Sequence, residues 1–205
     1  MKPENIEDFL EDKWLAEREV GYRMVVTEEQ QEKKMSQMTK FEEDYQQLVL
    51  QWANDRNIVN GSDNIKQLLK TLTEAGEFID AVVSEDVDEF VDAIGDQWVT
   101  LVIGMEQSGV TYQKALDSAM CMGTSDDALK NDTVVLYAIS CIADGILKGD
   151  KVLLAQGYGT YLQVLRNLKT SFTFGVAAAW NTIKDRKGKM VNGVFVKESD
   201  LKDGE

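Results

Sequence analysis

Apolar residues recur at helical spacing along most of the chain, and most regularly between residues 63 and 107. Two runs follow each other there, and in each the apolar positions are four and three residues apart. This spacing is typical of an amphipathic α-helix with one face toward a core. The runs predict an antiparallel helical hairpin with a short connection, in which Ser84 caps the second helix. The expected core positions are Leu68, Leu72, Ala75, Ile79 and Val82 in the first helix, and Val87, Val91, Ile94, Trp98, Leu101 and Met105 in the second.

The rest of the chain favours an all-α protein. Its only proline is Pro3, so no later helix is forced to break. Residues 1–49 are predicted to be an N-terminal helical extension, and 50–200 the main domain, a helical bundle built on the hairpin. Asn192-Gly193 stands between two apolar triplets and predicts a small β-hairpin within a basic tail over 181–200.

A second helical pair, over 134–170, aligns with the first when the chain is shifted by 64 positions. Asp80 then meets Asp144, and Gly95 meets Gly159. Two amphipathic helix pairs can also align by chance, so a degenerate repeat and a chance match both stay open. A repeat would have kept the fold and lost four acids, because Glu74, Glu77, Asp92 and Asp96 align with Ala138, Cys141, Gln156 and Thr160.

The charge balance excludes several classes of function. The chain of 205 residues has a formal net charge of −14, which argues against nucleic acid as a partner because phosphate binding depends on lysine and arginine. It contains no histidine, so catalytic triads and imidazole zinc sites are excluded. The N-terminus lacks the apolar stretch of a secretory signal, and no apolar run is long enough for a membrane span. We therefore expect a cytoplasmic protein without membrane contact.

Four of the nine carboxylates between residues 72 and 104 form two pairs at helical spacing. Glu74 and Glu77 are three apart on the first helix, and Asp92 and Asp96 are four apart on the second. The hairpin would bring the pairs together, where they would repel one another unless a cation neutralised them. Oxygen ligands suit a hard ion, so Mg²⁺ or Mn²⁺ is the expected cofactor, with Glu89 as an additional candidate ligand.

Acidic residues on helices usually face water, and this simpler interpretation competes with a metal site. The face that carries Asp92 and Asp96 continues into Val99 and Ile103. A face that becomes apolar within one turn is not expected to be fully solvated. The pattern therefore favours a partly buried site.

The stretches "QLLKTLTEAGEFIDAV" and "DAIGDQWVTLVIGMEQSG" resemble the MazG-like, all-α nucleoside triphosphate pyrophosphohydrolases. The signature of that superfamily, which includes dimeric dUTPases, is ExxE on one helix and an acidic pair, commonly ExxD, on the next. The tail and the segment "WANDRNI" resemble phage-encoded members in particular, so the host cytoplasm is the expected location. Ala93 and Thr73 depart from the signature, and the second pair is either Asp92 with Asp96 or Glu89 with Asp92. We favour the former because Asp96 holds the family's GD position.

The resemblance implies an enzyme that hydrolyses a nucleoside triphosphate to the monophosphate and pyrophosphate, and a homodimer. It implies that Glu74, Glu77, Asp92 and Asp96 bind magnesium, and that a glutamate such as Glu74 or Glu77 acts in catalysis as a general base. Positive or aromatic groups would hold the nucleotide. The candidates for substrate binding are Lys70, Arg56, Trp52, Lys184, Arg186 and Lys189. A catalytically inactive helical interaction protein is the alternative.

Overall fold

The computed structural model describes residues 28–120, 128–168 and 170–201, and these are mostly helical. The prediction of an all-α fold with a small C-terminal β-hairpin is confirmed. Most of the predicted extension over 1–49, namely residues 1–27, lies outside the described residues, as does Cys121. The helices are α1 (Glu28–Asp55), α2 (Ile58–Gly61), α3 (Asn64–Ser84), α4 (Val87–Ser108), α5 (Tyr112–Ser118), α6 (Ala128–Lys148), α7 (Lys151–Asn167) and α8 (Thr170–Ile183).

Helices α3 and α4 form the predicted antiparallel pair, called the first hairpin below. Glu85 adopts a left-handed backbone with φ of 57°, which ends α3 and turns the chain. The cap of α4 is Asp86, whose carboxylate accepts from the amides of Asp88 and Glu89 at 3.1 Å. The prediction that Ser84 caps α4 is therefore wrong. Ser84 is still inside α3, where its hydroxyl donates to the Asp80 carbonyl at 2.7 Å.

Helices α6 and α7 form a second hairpin, and α7 begins 64 residues after α4. Its turn repeats the first turn, with Gly149 at φ of 64° and Asp150 accepting from the first amides of α7. The two hairpins pack on each other, and the Tyr161 hydroxyl donates to the Gln97 side-chain oxygen at 2.7 Å. These two residues are themselves 64 positions apart. The correspondence is what a degenerate repeat would produce, and the repeat over 134–170 stays a prediction.

Each hairpin is followed by a helix that crosses the other hairpin, and a glycine lies at each of the two crossings. A Cβ at Gly95 would lie 2.1 Å from the Gly175 carbonyl oxygen on α8. A Cβ at Gly159 would lie 1.8 Å from the Ala115 carbonyl oxygen on α5. Both helix pairs can approach closely only because no side chain stands at these positions. Helix α8, which follows the second hairpin, thus packs on the first hairpin, and α5, which follows the first hairpin, packs on the second.

Helix α1 crosses the boundary that the sequence predicted between residues 49 and 50. Glu42 and Val49 are fully buried, so the described part of the extension belongs to the same core. The Glu42 carboxylate accepts from Arg166 at 2.9 Å and from the Tyr112 hydroxyl at 2.8 Å. Tyr112 in turn accepts from the Trp98 indole at 3.0 Å. This buried network ties α1 to α4, α5 and α7.

The C-terminal strands are β1 (Gly188–Val191) and β2 (Val194–Lys197), which pair antiparallel. Asn192 and Gly193 connect them with φ values of 52° and 79°, as a two-residue hairpin turn requires. The predicted Asn-Gly turn is therefore confirmed. Phe195 on β2 packs edge-on against Trp52 of α1, with ring centroids 5.7 Å apart.

Helix α3 is oriented differently from the prediction. Leu72, Ile79 and Val82, expected in the core, are exposed. The face that α3 turns toward α4 instead carries Gln67, Thr71, Glu74, Phe78 and Ala81. Phe78 is partly buried and the other four are buried. Hydrogen bonding lowers the free-energy cost of burying these polar groups, since the Thr71 hydroxyl donates to Thr100 on α4 at 3.0 Å. Periodicity alone placed the more apolar face inward.

Candidate functional site

Glu74 is the most deeply buried of the predicted acidic residues. Its side chain is 2% exposed, and it lies on the face of α3 that packs against α4. The Lys70 ammonium group, one turn earlier on the same helix, forms an ion pair with the Glu74 carboxylate. Glu77 follows at the exposed edge of the same face. Helix α3 thus presents one buried and one accessible carboxylate to α4.

Asp92 and Asp96 lie on α4 and are both partly buried. Burial and the charges of Glu74 and Asp92 raise the pKa of Asp96 to about 6. Arg186 and Lys70 act in the opposite direction on the same group. Val99 and Ile103, farther along α4, are buried as the sequence predicted. The charge of Glu74 on α3 therefore acts on Asp96 on α4.

Glu77 has a pKa above its usual range for related reasons. Burial contributes most, followed by a hydrogen bond with Glu74 and the charge of Glu74, whereas Lys70 lowers the pKa. The charge of Glu89 adds a smaller increase, so Glu89 lies at the rim beside Glu77. Glu89 is itself exposed. Below, the acidic cluster means Glu74, Glu77, Asp92 and Asp96.

Two of the predicted basic groups act on the acidic cluster. Lys70 is paired with Glu74, and Arg186 lies close enough to lower the pKa of Asp96. Lys184 is exposed and its ammonium group donates to Asn181 at 3.1 Å. Lys189 is exposed on β1. Among the predicted substrate-binding residues, Lys70 and Arg186 therefore act on the acidic cluster, whereas Lys184 and Lys189 are exposed side chains.

Arg56 and Trp52 serve to position the basic segment. Arg56 donates to the backbone carbonyls of Arg186 at 2.9 Å and Lys184 at 3.4 Å. Its guanidinium group lies 5.0 Å from the centre of the Trp52 ring, and Trp52 is buried. Arg56 thereby holds the chain that places Arg186 beside Asp96. Trp52 is a core residue in this structure.

A groove of about 390 Å³ adjoins the acidic cluster between α4 and α8. Asp92 is part of its wall, together with the exposed aromatic ring of Phe174 and the small side chains of Ser171 and Ala178. Sequence reasoning missed this feature, because nothing in the spacing of residues 170–183 distinguishes Phe174 from a core residue. Phe174 comes to lie beside Asp92 only because α8 packs across α4 at Gly95.

The donor chemistry of the acidic cluster suits a hard divalent cation, since every ligand atom would be a carboxylate oxygen. Burial contributes most to the raised pKa of Asp96, and the charges of Glu74 and Asp92 add a part that a bound cation would offset. As the side chains stand, however, no group of three or more acidic or cysteine residues in the described ranges is arranged to hold a metal ion. Glu74 is paired with Lys70 instead, so metal binding would require that pair to rearrange.

Comparison with known proteins gives one informative similarity. A stretch of 70 residues is 40% identical to an uncharacterized 18.2 kDa protein from the rep-hol intergenic region of Haemophilus phage HP1. The stretch covers 33% of this chain and 43% of that protein. No family model and no solved structure matches the chain. No helix in the described ranges is long and apolar enough to cross a membrane. The similarity is thus to a phage protein whose role its name does not state.

Proposed function

We propose that the protein is a magnesium-dependent nucleoside triphosphate pyrophosphohydrolase that releases pyrophosphate and a nucleoside monophosphate. The observation that carries this proposal is the partly buried Asp96, whose pKa is raised to about 6 by burial first, and then by the charges of Glu74 on the neighbouring helix and of Asp92. Strongly perturbed carboxyl groups beside a groove are typical of functional sites. The proposal includes action in the host cytoplasm and a homodimeric protein.

The residues of the site divide into metal-binding and phosphate-binding groups. Glu74, Asp92 and Asp96 would hold a magnesium ion, which would neutralise phosphate charge and polarise the scissile phosphoanhydride. Arg186 and Lys70 would neutralise the remaining phosphate oxygens, once Lys70 leaves Glu74 for the substrate. Positive charge on both sides of the acidic cluster is what an anionic substrate needs.

Glu77 is better placed than Glu74 to act as the general base. It is exposed at the edge of the cluster, and burial together with Glu74 raises its pKa above the usual range. A carboxylate Oε of Glu77 can therefore accept a proton from an attacking water. Glu74 is buried and paired with Lys70, so water reaches it less readily. Phe174 would stack on the nucleobase in the groove beside Asp92.

The experiment is pyrophosphate release from a panel of ribo- and deoxyribonucleoside triphosphates with and without Mg²⁺. We expect Mg²⁺-dependent release from at least one nucleotide, and a loss of about 100-fold or more in kcat for Glu77→Gln. Glu106→Gln is the matched control, because Glu106 is an exposed acid near the end of α4. It should keep activity within about threefold. Release of orthophosphate in place of pyrophosphate, or no release from any nucleotide, would refute the proposal.

A catalytically inactive helical interaction protein is the second candidate, and two observations favour it. Glu74 is already neutralised by Lys70, and the described residues hold no preassembled metal-ligand group. Helix α3 also exposes an apolar face. The nucleotide panel separates the two candidates, because an interaction protein would bind Mg²⁺ weakly and release nothing. Isothermal titration with Mg²⁺ alone gives the independent measurement.

A further inference from the structure

The outer face of α3 carries a continuous apolar stripe. Its six positions are separated by four, three, four, three and four residues, the spacing of a helix–helix seam. Five of them are exposed apolar side chains and the sixth is a glycine at the surface. The positions, called the outer stripe below, are Ile65 (52% exposed), Leu69 (58%), Leu72 (40%), Gly76, Ile79 (52%) and Val83 (79%).

This face is opposite to the one that packs within the chain. Gln67, Thr71 and Glu74 are buried against α4 while the outer stripe remains in water. Isolated exposed apolar residues are ordinary on protein surfaces, but a contiguous patch beside a buried polar face is not. A helix that hides its polar side and exposes its apolar side lacks a partner on the apolar side.

The spacing of the outer stripe is the same in both directions, so the stripe is complementary to itself. When two copies of α3 lie antiparallel about a two-fold axis near residue 74, Ile65 meets Val83 of the second copy and Leu69 meets its Ile79. Leu72 then meets Gly76 of the second copy. A Cβ at Gly76 would touch nothing within 4 Å in this chain, so packing within one chain does not explain the glycine. The antiparallel pair explains it as space for Leu72.

The charges beside the outer stripe select the antiparallel arrangement. The first half of α3 carries Lys66 and Lys70, and its second half carries Glu77 and Asp80. Antiparallel pairing places Lys66 of each copy next to Asp80 of the other, whereas parallel pairing would place like charges together. The local partner of Lys66 is the exposed Asp63, at 3.0 Å, which leaves Lys66 accessible to a second acid.

We propose that a second copy of this chain covers the outer stripe, forming a two-fold symmetric dimer through antiparallel α3 helices. The same patch serves both subunits, as two-fold symmetry requires. Glu74 points to the opposite side of α3, so the acidic cluster stays outside the dimer contact. The contact thus gives an interface to the homodimer that the proposed function includes, but it does not involve the acidic cluster, so the catalytic activity and this interface can each fail without the other.

The first experiment measures the molar mass of the full chain by size-exclusion chromatography with light scattering at micromolar concentrations. We expect a dimer for the wild type and a monomer for the double variant Leu69→Glu, Ile79→Glu, with an unchanged circular dichroism spectrum. Leu147→Glu is the matched control, because Leu147 is 82% exposed on α6, and it should stay dimeric. A monomeric wild type would overturn the proposal and leave residues 1–27 or another protein as the occupant of the stripe.

The second experiment tests the geometry of the contact. Thr73 is exposed beside the two-fold axis, so Thr73→Cys should yield covalent dimers with a short bis-maleimide linker. Val152→Cys is the control, since Val152 is 71% exposed but lies on α7. The wild type supplies the background from its native cysteines. A dimer that cross-links equally at both sites, or that survives the Leu69→Glu, Ile79→Glu change, would place the interface elsewhere and refute the assignment.

Discussion

Replacing Asp96 with asparagine should stabilise the protein at neutral pH when no divalent cation is present. Asp96 is partly buried on α4, and the negative charges of Glu74 and Asp92 repel its carboxylate. Burial and these two charges raise its pKa to about 6 from the usual 3.8. The ionised form is therefore disfavoured in the folded chain, and at pH 7 it weakens the fold.

The sign of the pH dependence of Asp96 follows from the direction of this shift. A carboxyl group with a higher pKa in the folded chain binds its proton more tightly there than in the unfolded chain. Its contribution to the free energy of unfolding therefore decreases as the pH rises from about 4 to about 6 and stays low above that. At about 1.4 kcal/mol per pH unit between the two pKa values, the upper limit is about 3 kcal/mol. Solvent and salt screening reduce the expected gain for Asp96→Asn to about 1 to 2 kcal/mol at pH 7.

The assay is urea unfolding in the presence of EDTA, followed by circular dichroism at pH 7 and pH 4.5. Asp96→Asn should be more stable than the wild type at pH 7, and the difference should shrink at pH 4.5 as Asp96 in the wild type binds a proton. Glu106→Gln on the same helix is the control, because Glu106 is exposed, and it should change stability by a few tenths of a kcal/mol at most. An asparagine variant that is less stable at pH 7, or equally stabilised at both pH values, would refute the reasoning.

Three further substitutions test the packing around the site. Arg166→Leu leaves the fully buried Glu42 without its ionic partner, so the free energy of unfolding measured in urea should fall by about 3 to 5 kcal/mol. A loss below about 1 kcal/mol would argue against a charged pair. Gly95→Ala would place a methyl group 2.1 Å from the Gly175 carbonyl oxygen, so the Tm in calorimetry should fall by about 3 to 10 °C. An unchanged Tm would contradict the close helix crossing. Arg56→Ala releases two carbonyls of the basic segment and should raise KM for the nucleotide several-fold with little change in kcat, whereas a selective loss of kcat would contradict a positioning role.

Local patterns predicted the local structure well. The Asn192-Gly193 pair specified a two-residue β-hairpin, because both residues tolerate the positive φ that the turn needs. The four-three spacing predicted α3 and α4 as helices. The assignment of Glu74, Glu77, Asp92 and Asp96 to a metal site stays a prediction. Asp86 became the helix cap in place of Ser84, since one left-handed residue, Glu85, moved the start of α4 by two positions.

Features that depend on packing between distant segments could not be predicted in this way. Glu42 lies in a charged, glutamine-rich stretch, and only its contacts with Arg166 and Tyr112 make it a core residue. Phe174 gained its place beside Asp92 from the crossing of α8 over α4. The burial of α3 also depended on context, because its polar face packs against α4, where the Thr71 hydroxyl donates to Thr100.

The second hairpin shows that this fold does not require acids at the four positions of the acidic cluster. Ala138, Cys141 and Thr160 occupy the positions equivalent to Glu74, Glu77 and Asp96, and all three are buried. The Thr160 hydroxyl accepts from the Met120 amide at 3.1 Å, so the position is satisfied without charge. The first hairpin instead holds carboxylates at these positions, and burial together with the charge of Glu74 raises the pKa of Asp96 and of Glu77. A destabilising arrangement that the second hairpin avoids is better explained by function than by folding.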